Sequence, residues 1–209
     1  METLTTFFLV LHATAGAGAL LTGTAIGFLK KGDRRHRLLG QWFVRCMLTV
    51  GGTAFFLATV RPSPFLFVIG VYSVYVSLMG RTAFGERRTW HNIAPWILGL
   101  TSLALAVWSI VQDTSMMILG LVFGLGFLSQ AVTDIINLRT AGNSRRVKLI
   151  RHISWMGGAL ISTWTAFLVV NIQVSWQIVL WIAPGVLGGL AISRAIRRYV
   201  GPSPANIPS

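Results

Sequence analysis

The stretch from Leu4 to Leu29, LTTFFLVLHATAGAGALLTGTAIGFL, decides the fold. It contains no Lys, Arg, Asp or Glu, and it ends abruptly at Lys30-Lys31-Gly32-Asp33-Arg34-Arg35. A helix crosses the hydrocarbon core of a bilayer with about 17–25 predominantly apolar residues, so this stretch reads as a membrane span. Ala13-Thr14-Ala15 resembles the cleavage site of a secretory signal. However, no basic segment precedes the apolar run, Glu2 being the first charge, and the run continues well past that site. The expectation is an uncleaved first span.

Working outward, six further apolar runs follow, each bounded by charge or by turn residues: Leu38–Val60, Phe65–Gly80, Ile93–Val111, Met116–Ile136, Ile153–Val170 and Trp176–Ile196. The third is the shortest. None alternates polar and apolar residues as a barrel strand does. Only helices and closed barrels satisfy backbone polar groups in lipid, so the runs predict an all-α polytopic membrane protein with seven transmembrane helices. Its domain covers residues 1–200, and the Pro-containing segment 201–209 reads as a disordered tail. Composition agrees. Of 209 residues, 54% are hydrophobic and 11% charged, against about 25% charged in an ordinary soluble domain.

The basic excess, 18 Lys+Arg against 5 Asp+Glu and a formal charge of +13, would suggest nucleic acid in a soluble chain. Its placement argues otherwise. Lys30, Lys31, Arg34, Arg35 and Arg37 fall between the first two runs, and Arg81, Arg87 and Arg88 between the third and fourth. Arg139, Arg145, Arg146, Lys148 and Arg151 fall before the sixth, and Arg194, Arg197 and Arg198 at the end of the seventh. In a seven-span chain all of these lie on one side, and Arg61 alone lies on the other. The positive-inside rule then puts the N-terminus outside and the C-terminus in the cytoplasm. The expected partners are the lipid bilayer and anionic headgroups at the cytoplasmic face, with no nucleic acid. The single cysteine, Cys46, excludes an intrachain disulfide and a CxxC metal site.

The cytoplasmic loops share a pattern: Arg34-Arg35, His36, Trp42; Arg87-Arg88, His91, Trp96; Arg145-Arg146, His152, Trp155. A triplicated hairpin with an extra helix is one reading, and the ordinary preference of membrane interfaces for Arg and Trp is the other. Gly23/Gly27, Gly120/Gly124 and Gly185/Gly189 have GxxxG spacing, which lets helices approach closely. Within one bundle this is packing; between chains it would make a homo-oligomer.

Ionisable side chains in or beside spans are the functional candidates, because lipid makes them costly. His12, Arg45 and Asp134 lie within runs, and His36, His91 and His152 at cytoplasmic ends. Arg45 and Asp134 fall at depths below the cytoplasmic surface that agree to within about one helical turn, so Asp134 is expected to be paired with a cation, Arg45 first, or held neutral. Three histidines with a carboxylate suit zinc or iron, though no HxxxH or HExxH spacing is present. His12 sits about 25 Å from the cytoplasmic end of its run, with no second histidine at matched depth for a bis-histidine haem b. The GxSxG of a serine hydrolase is absent, as are a P-loop, a dinucleotide GxGxxG with an acidic partner, and a lysine in the seventh span.

Two segments resemble a family of uncharacterised bacterial predicted integral membrane proteins. The first is His12-Ala13-Thr14-Ala15-Gly16 with Ala19-Leu20-Leu21, Gly23, Lys31-Gly32, the His36-Arg37-x-x-Gly40 turn and Met47. The second is His152-Ile153 with Met156 and Gly158-Ala159, then Thr165-Ala166-Phe167-Leu168-Val169-Val170-Asn171. The resemblance covers the two ends of the chain and implies a membrane protein without an assigned activity. His12, His36 and His152 fall on its motif positions; His91 does not.

The leading expectation is a non-enzymatic protein of the bacterial inner membrane that binds or passes a small ligand, ion or proton through Arg45, Asp134, His152 and His12. A haem or metal redox protein using the histidines is the second reading, with His36, His91 and His152 as metal ligands. A zinc-dependent membrane-embedded hydrolase is the third and rests on helix count alone.

Overall fold

The computed structural model describes residues 2–60, 64–85, 89–111, 116–141 and 144–200. These form seven helices: α1 (Glu2–Phe28), α2 (Arg34–Val60), α3 (Pro64–Thr82), α4 (Thr89–Val111), α5 (Met116–Ala141), α6 (Arg145–Asn171) and α7 (Gln177–Val200). No strand occurs among the described residues. Four of the helices, α1, α2, α6 and α7, are long and apolar enough to cross a membrane. The segment 201–209, expected to be a disordered tail, lies outside the described residues.

Five of the seven apolar runs lie wholly within a helix, the first and last overrun theirs by one residue (Leu29 and Trp176), and several helices extend beyond their run into flanking cations. α2 begins at Arg34 and α6 at Arg145. Hydropathy ends at the first cation, but the backbone has no reason to stop there, since long basic side chains keep their heads in water while their stems stay on the helix. Pro95 and Pro184 lie inside α4 and α7, a tolerance characteristic of helices in lipid.

Three antiparallel hairpins, α1–α2, α4–α5 and α6–α7, are joined around α3, which packs against both α2 and α6. α2 buries Phe43, Val44, Met47, Gly51, Ala54 and Leu57, at the three- and four-residue spacing of one helix face, and Thr53 off that stripe, toward His12 of α1. α6 buries Val147, Ile150, Arg151, Ser154, Trp155, Ala159, Ser162, Thr165 and Val169. At the centre, Tyr75 meets Trp155 edge-on at 5.4 Å and Phe127 at 5.5 Å, a favoured arrangement of aromatic quadrupoles. By contrast, α1 buries only Ala19 and Gly23, and α7 only Leu180. Leu21, Phe28, Val186 and Leu187 are more than half exposed. Water would not tolerate so continuous an apolar exterior, whereas a bilayer would.

Helix contacts run through glycines. A Cβ on Gly51 would lie 2.4 Å from Val74 Cγ2 and 3.0 Å from the Gly70 carbonyl oxygen, and one on Gly80 would lie 2.4 Å from Met156 Sδ. Of the GxxxG glycines, Gly23 abuts Leu160 and Phe43, and Gly124 abuts Leu103, all within the chain, whereas Gly27, Gly185 and Gly189 face open space.

Candidate functional site

The densest set of functional side chains is at the basic end of the bundle, where α2 starts, α3 ends and α6 completes its second turn. The α1–α2 connection is short and held at several points. Gly32 adopts φ 81°, a left-handed conformation that glycine enters without penalty. Lys31 Nζ donates to the last carbonyls of α1, those of Ile26 and Gly27, where the helix dipole favours a cation. Partial burial pushes the Lys31 ammonium pKa down. Asp33 Oδ1 accepts from the His36 backbone N–H at 2.7 Å, capping α2. Arg37 donates to the Gly32 carbonyl at 2.9 Å. These bonds fix His36 in the first turn of α2.

His152 is fixed from the other side. Its Nδ1 lies 3.0 Å from the Gly80 carbonyl oxygen, near the end of α3. A carbonyl can only accept, so Nδ1 carries the proton and Nε2 presents its lone pair. The two rings stand 6.3 Å apart, centroid to centroid, with planes inclined by 62°. Phe84 covers His152 at 5.2 Å. His36 Nδ1 is buried with no hydrogen-bond partner. Met156, one turn further along α6, lays its thioether against Gly80. Three helices thus meet at two imidazoles, with a thioether one turn further along α6, against Gly80.

The other candidates fall elsewhere. His12 Nδ1 is 2.9 Å from Thr53 Oγ1. That hydroxyl is itself within donating distance of the Thr49 and Val50 carbonyls, at 2.7 and 3.0 Å, so it accepts from His12 and ties α1 to α2. Arg45 is the first cation expected to pair with Asp134. Its side chain is exposed, with the guanidinium 5.1 Å from the centre of the Trp42 ring. The reason is its register: α2 buries residues 43, 44, 47 and 51, and position 45 lies off that stripe. Asp134 falls in α5 and His91 in the first turn of α4, but both side chains lie outside the described residues, so the Arg45–Asp134 pair and the third histidine ligand do too. Among the described residues, no three His, Cys, Asp or Glu side chains converge as a metal cluster would.

Sequence reasoning missed three contributors. Arg151, counted there as a loop cation, is only 1% exposed within α6; its place in the stripe Val147, Ile150/Arg151, Ser154/Trp155 is the signal that marks it. The Gly80 carbonyl has no signal, because the functional atom is backbone. Met156 reads as an ordinary span residue. A separate groove of about 380 Å³ between α6 and α7 is lined by Gly157, Leu160, Trp164, Leu168, Pro184 and other apolar residues, and it offers nothing to a polar ligand.

Comparison with known proteins adds no family: no family model, no curated protein and no solved structure matches this chain.

Proposed function

We propose that the chain is a seven-span protein of the bacterial inner membrane, with its N-terminus outside, that binds or passes a small ligand, ion or proton at the cytoplasmic end of its bundle. The observation that carries the reading is the His36–His152 pair. Two imidazoles, one with its tautomer set by the Gly80 carbonyl and one with a buried unpartnered nitrogen, meet where α2, α3 and α6 meet. A purely structural histidine pair gains nothing from a buried nitrogen that has lost water and found no partner. The distribution of cations supports the orientation, and the resemblance to uncharacterised bacterial membrane proteins implies the same setting.

Reconstitution tests the reading. In proteoliposomes containing a trapped pH-sensitive dye, the chain should conduct protons or release a co-purified small ligand, and the His36→Gln/His152→Gln double variant should lose that property while remaining folded by circular dichroism. Unchanged behaviour in the double variant would reject the pair as the binding centre. The orientation has its own test. In a Cys46→Ala background, cysteines at Ser63 and Thr114 should react with an impermeant thiol reagent from the periplasm and one at Asn143 should not. Labelling of Asn143 from outside would invert the topology.

A further inference from the structure

We propose that the species held between His36 and His152 is a soft monovalent metal ion, Cu+ in chemical character, ligated by the two imidazoles and supported by the Met156 thioether. This rests on the reading of the pair as the binding centre and names its ligand.

Four observations lead there. The first is separation. A metal–imidazole bond of about 2.0–2.1 Å, plus about 1.1 Å from nitrogen to ring centre, puts each centroid about 3.2 Å from the ion. Two rings sharing one ion therefore stand between about 5 Å apart at a tetrahedral angle and about 6.4 Å apart when opposed. The observed 6.3 Å lies at the opposed end of that range, the arrangement of a two-coordinate ion.

The second is tautomer. Metal-bound histidines characteristically donate their remaining N–H to a carbonyl or carboxylate, which orients the ring and raises its basicity. His152 makes that bond to Gly80, leaving Nε2 for the ion. On His36 the buried Nδ1 has no hydrogen-bond partner; with the ring proton on Nε2 it is a lone pair that has lost water, and a metal bond at Nδ1 would satisfy it.

The third is ligand type. Thioethers select Cu+ among the biological metals, and imidazole accepts it. Met156 follows His152 by one turn on the same helix face and lies against the residue that orients it.

The fourth is charge. The turn before His36 and its own first turn carry Lys31, Arg34, Arg35 and Arg37 against Asp33 alone. Repulsion from such a set acts on a divalent ion with twice the strength it has on a monovalent one. Among the described residues no carboxylate or thiol joins the two histidines in a cluster, so a tetrahedral zinc site of ordinary composition is not assembled there.

The test uses Ag+, a redox-inert ion of the same charge and softness, on the full chain in detergent. A Cys46→Ala background keeps the one thiol from competing. Ag+ should bind one per chain. His36→Gln and His152→Gln should each weaken binding about 100-fold or more, and Met156→Leu about 10-fold. Because a variant can fail by misfolding, nitrogen-15 spectra of the intact chain provide a second reading: Ag+ should shift His152 Nε2 while Nδ1 stays protonated. Absence of stoichiometric Ag+, equal binding in the histidine variants, a shift at Nδ1 instead, or tighter binding of Zn2+ than of Ag+ would each overturn the assignment. If proton passage still depends on the two histidines while no Ag+ binds, the metal falls and the binding centre stands. If neither depends on them, both fall.

Discussion

Gly51 and Gly52 are neighbours in sequence, yet alanine at the two sites should have opposite effects. Successive helix residues point about 100° apart. Gly51 is turned toward α3, where a new methyl would sit 2.4 Å from Val74 Cγ2 and 3.0 Å from the Gly70 carbonyl oxygen. Val74 is β-branched and stiff at χ1, and a carbonyl inside a helix cannot retreat alone, so the two helices must separate. Overpacking of this kind costs about 1–3 kcal/mol, and the helix-propensity gain of Gly→Ala returns about 0.5–1 kcal/mol. Gly51→Ala should therefore destabilise by about 1 kcal/mol at the middle of these ranges, and by at most about 2.5 kcal/mol. Gly52 is exposed, with nothing within 4 Å of an added Cβ, so only the propensity term acts and Gly52→Ala should be neutral or stabilising by up to about 1 kcal/mol. Reversible unfolding in mixed micelles, followed by circular dichroism as the SDS fraction rises, measures both. A Gly51→Ala protein as stable as the parent, or a Gly52→Ala protein losing as much as Gly51→Ala, would refute the α2–α3 contact.

The His12–Thr53 bond should be worth about 0.6 kcal/mol, the average for such interhelical bonds, and at most about 1.7 kcal/mol; a double-mutant cycle of His12→Phe and Thr53→Val in the same micelle assay measures the coupling, and zero coupling would remove the bond. The two arginines should differ sharply. Arg151→Ala opens a cavity in the core and should cost about 3 kcal/mol or more, whereas Arg45→Gln loses only an exposed contact with Trp42 worth about 0.5–1 kcal/mol. Equal losses would contradict their placement. Thr163 donates to Met47 Sδ at 3.1 Å, a weak bond, so Thr163→Val should change stability by less than about 1 kcal/mol.

Depth was legible in the sequence, whereas lateral position was not. Hydropathy placed each helix within a few residues, because the length of an apolar run is a local property; the starts of α2 and α6 were missed because cations end a run without ending a helix. His36 and His152 were placed at one end by counting spans. That they meet, and that they meet over Gly80, depends on α2 and α6 both packing on α3, which no local pattern encodes. Arg45 and Arg151 show the same division: each lies near an apolar run, and the face each occupies is set by the buried stripe of its own helix, readable for Arg151 and overlooked. The GxxxG pairs marked two real contacts, at Gly23 and Gly124, yet Gly51, Gly80, Gly157 and Gly188, which also approach neighbouring side chains closely, belong to none of the pairs singled out. Spacing marks where close approach is permitted, and the partner helix decides where it occurs.

The seat of Met156 on Gly80 has a bearing on how the chain is made. Synthesis delivers α3 well before α6, and at about 5–20 residues per second the ribosome needs several seconds to travel from Gly80 to Met156. During that interval α1, α2 and α3 can associate, but the notch at Gly80, whose neighbours are all atoms of Met156, is left unfilled, and the one at Gly23 is met by Phe43 without Leu160. The Gly80 notch stays open until α6 arrives. A nascent chain arrested before α6 should therefore be the species most exposed to membrane proteases and quality control, and release of the α6–α7 hairpin is the moment at which the protein becomes resistant to them.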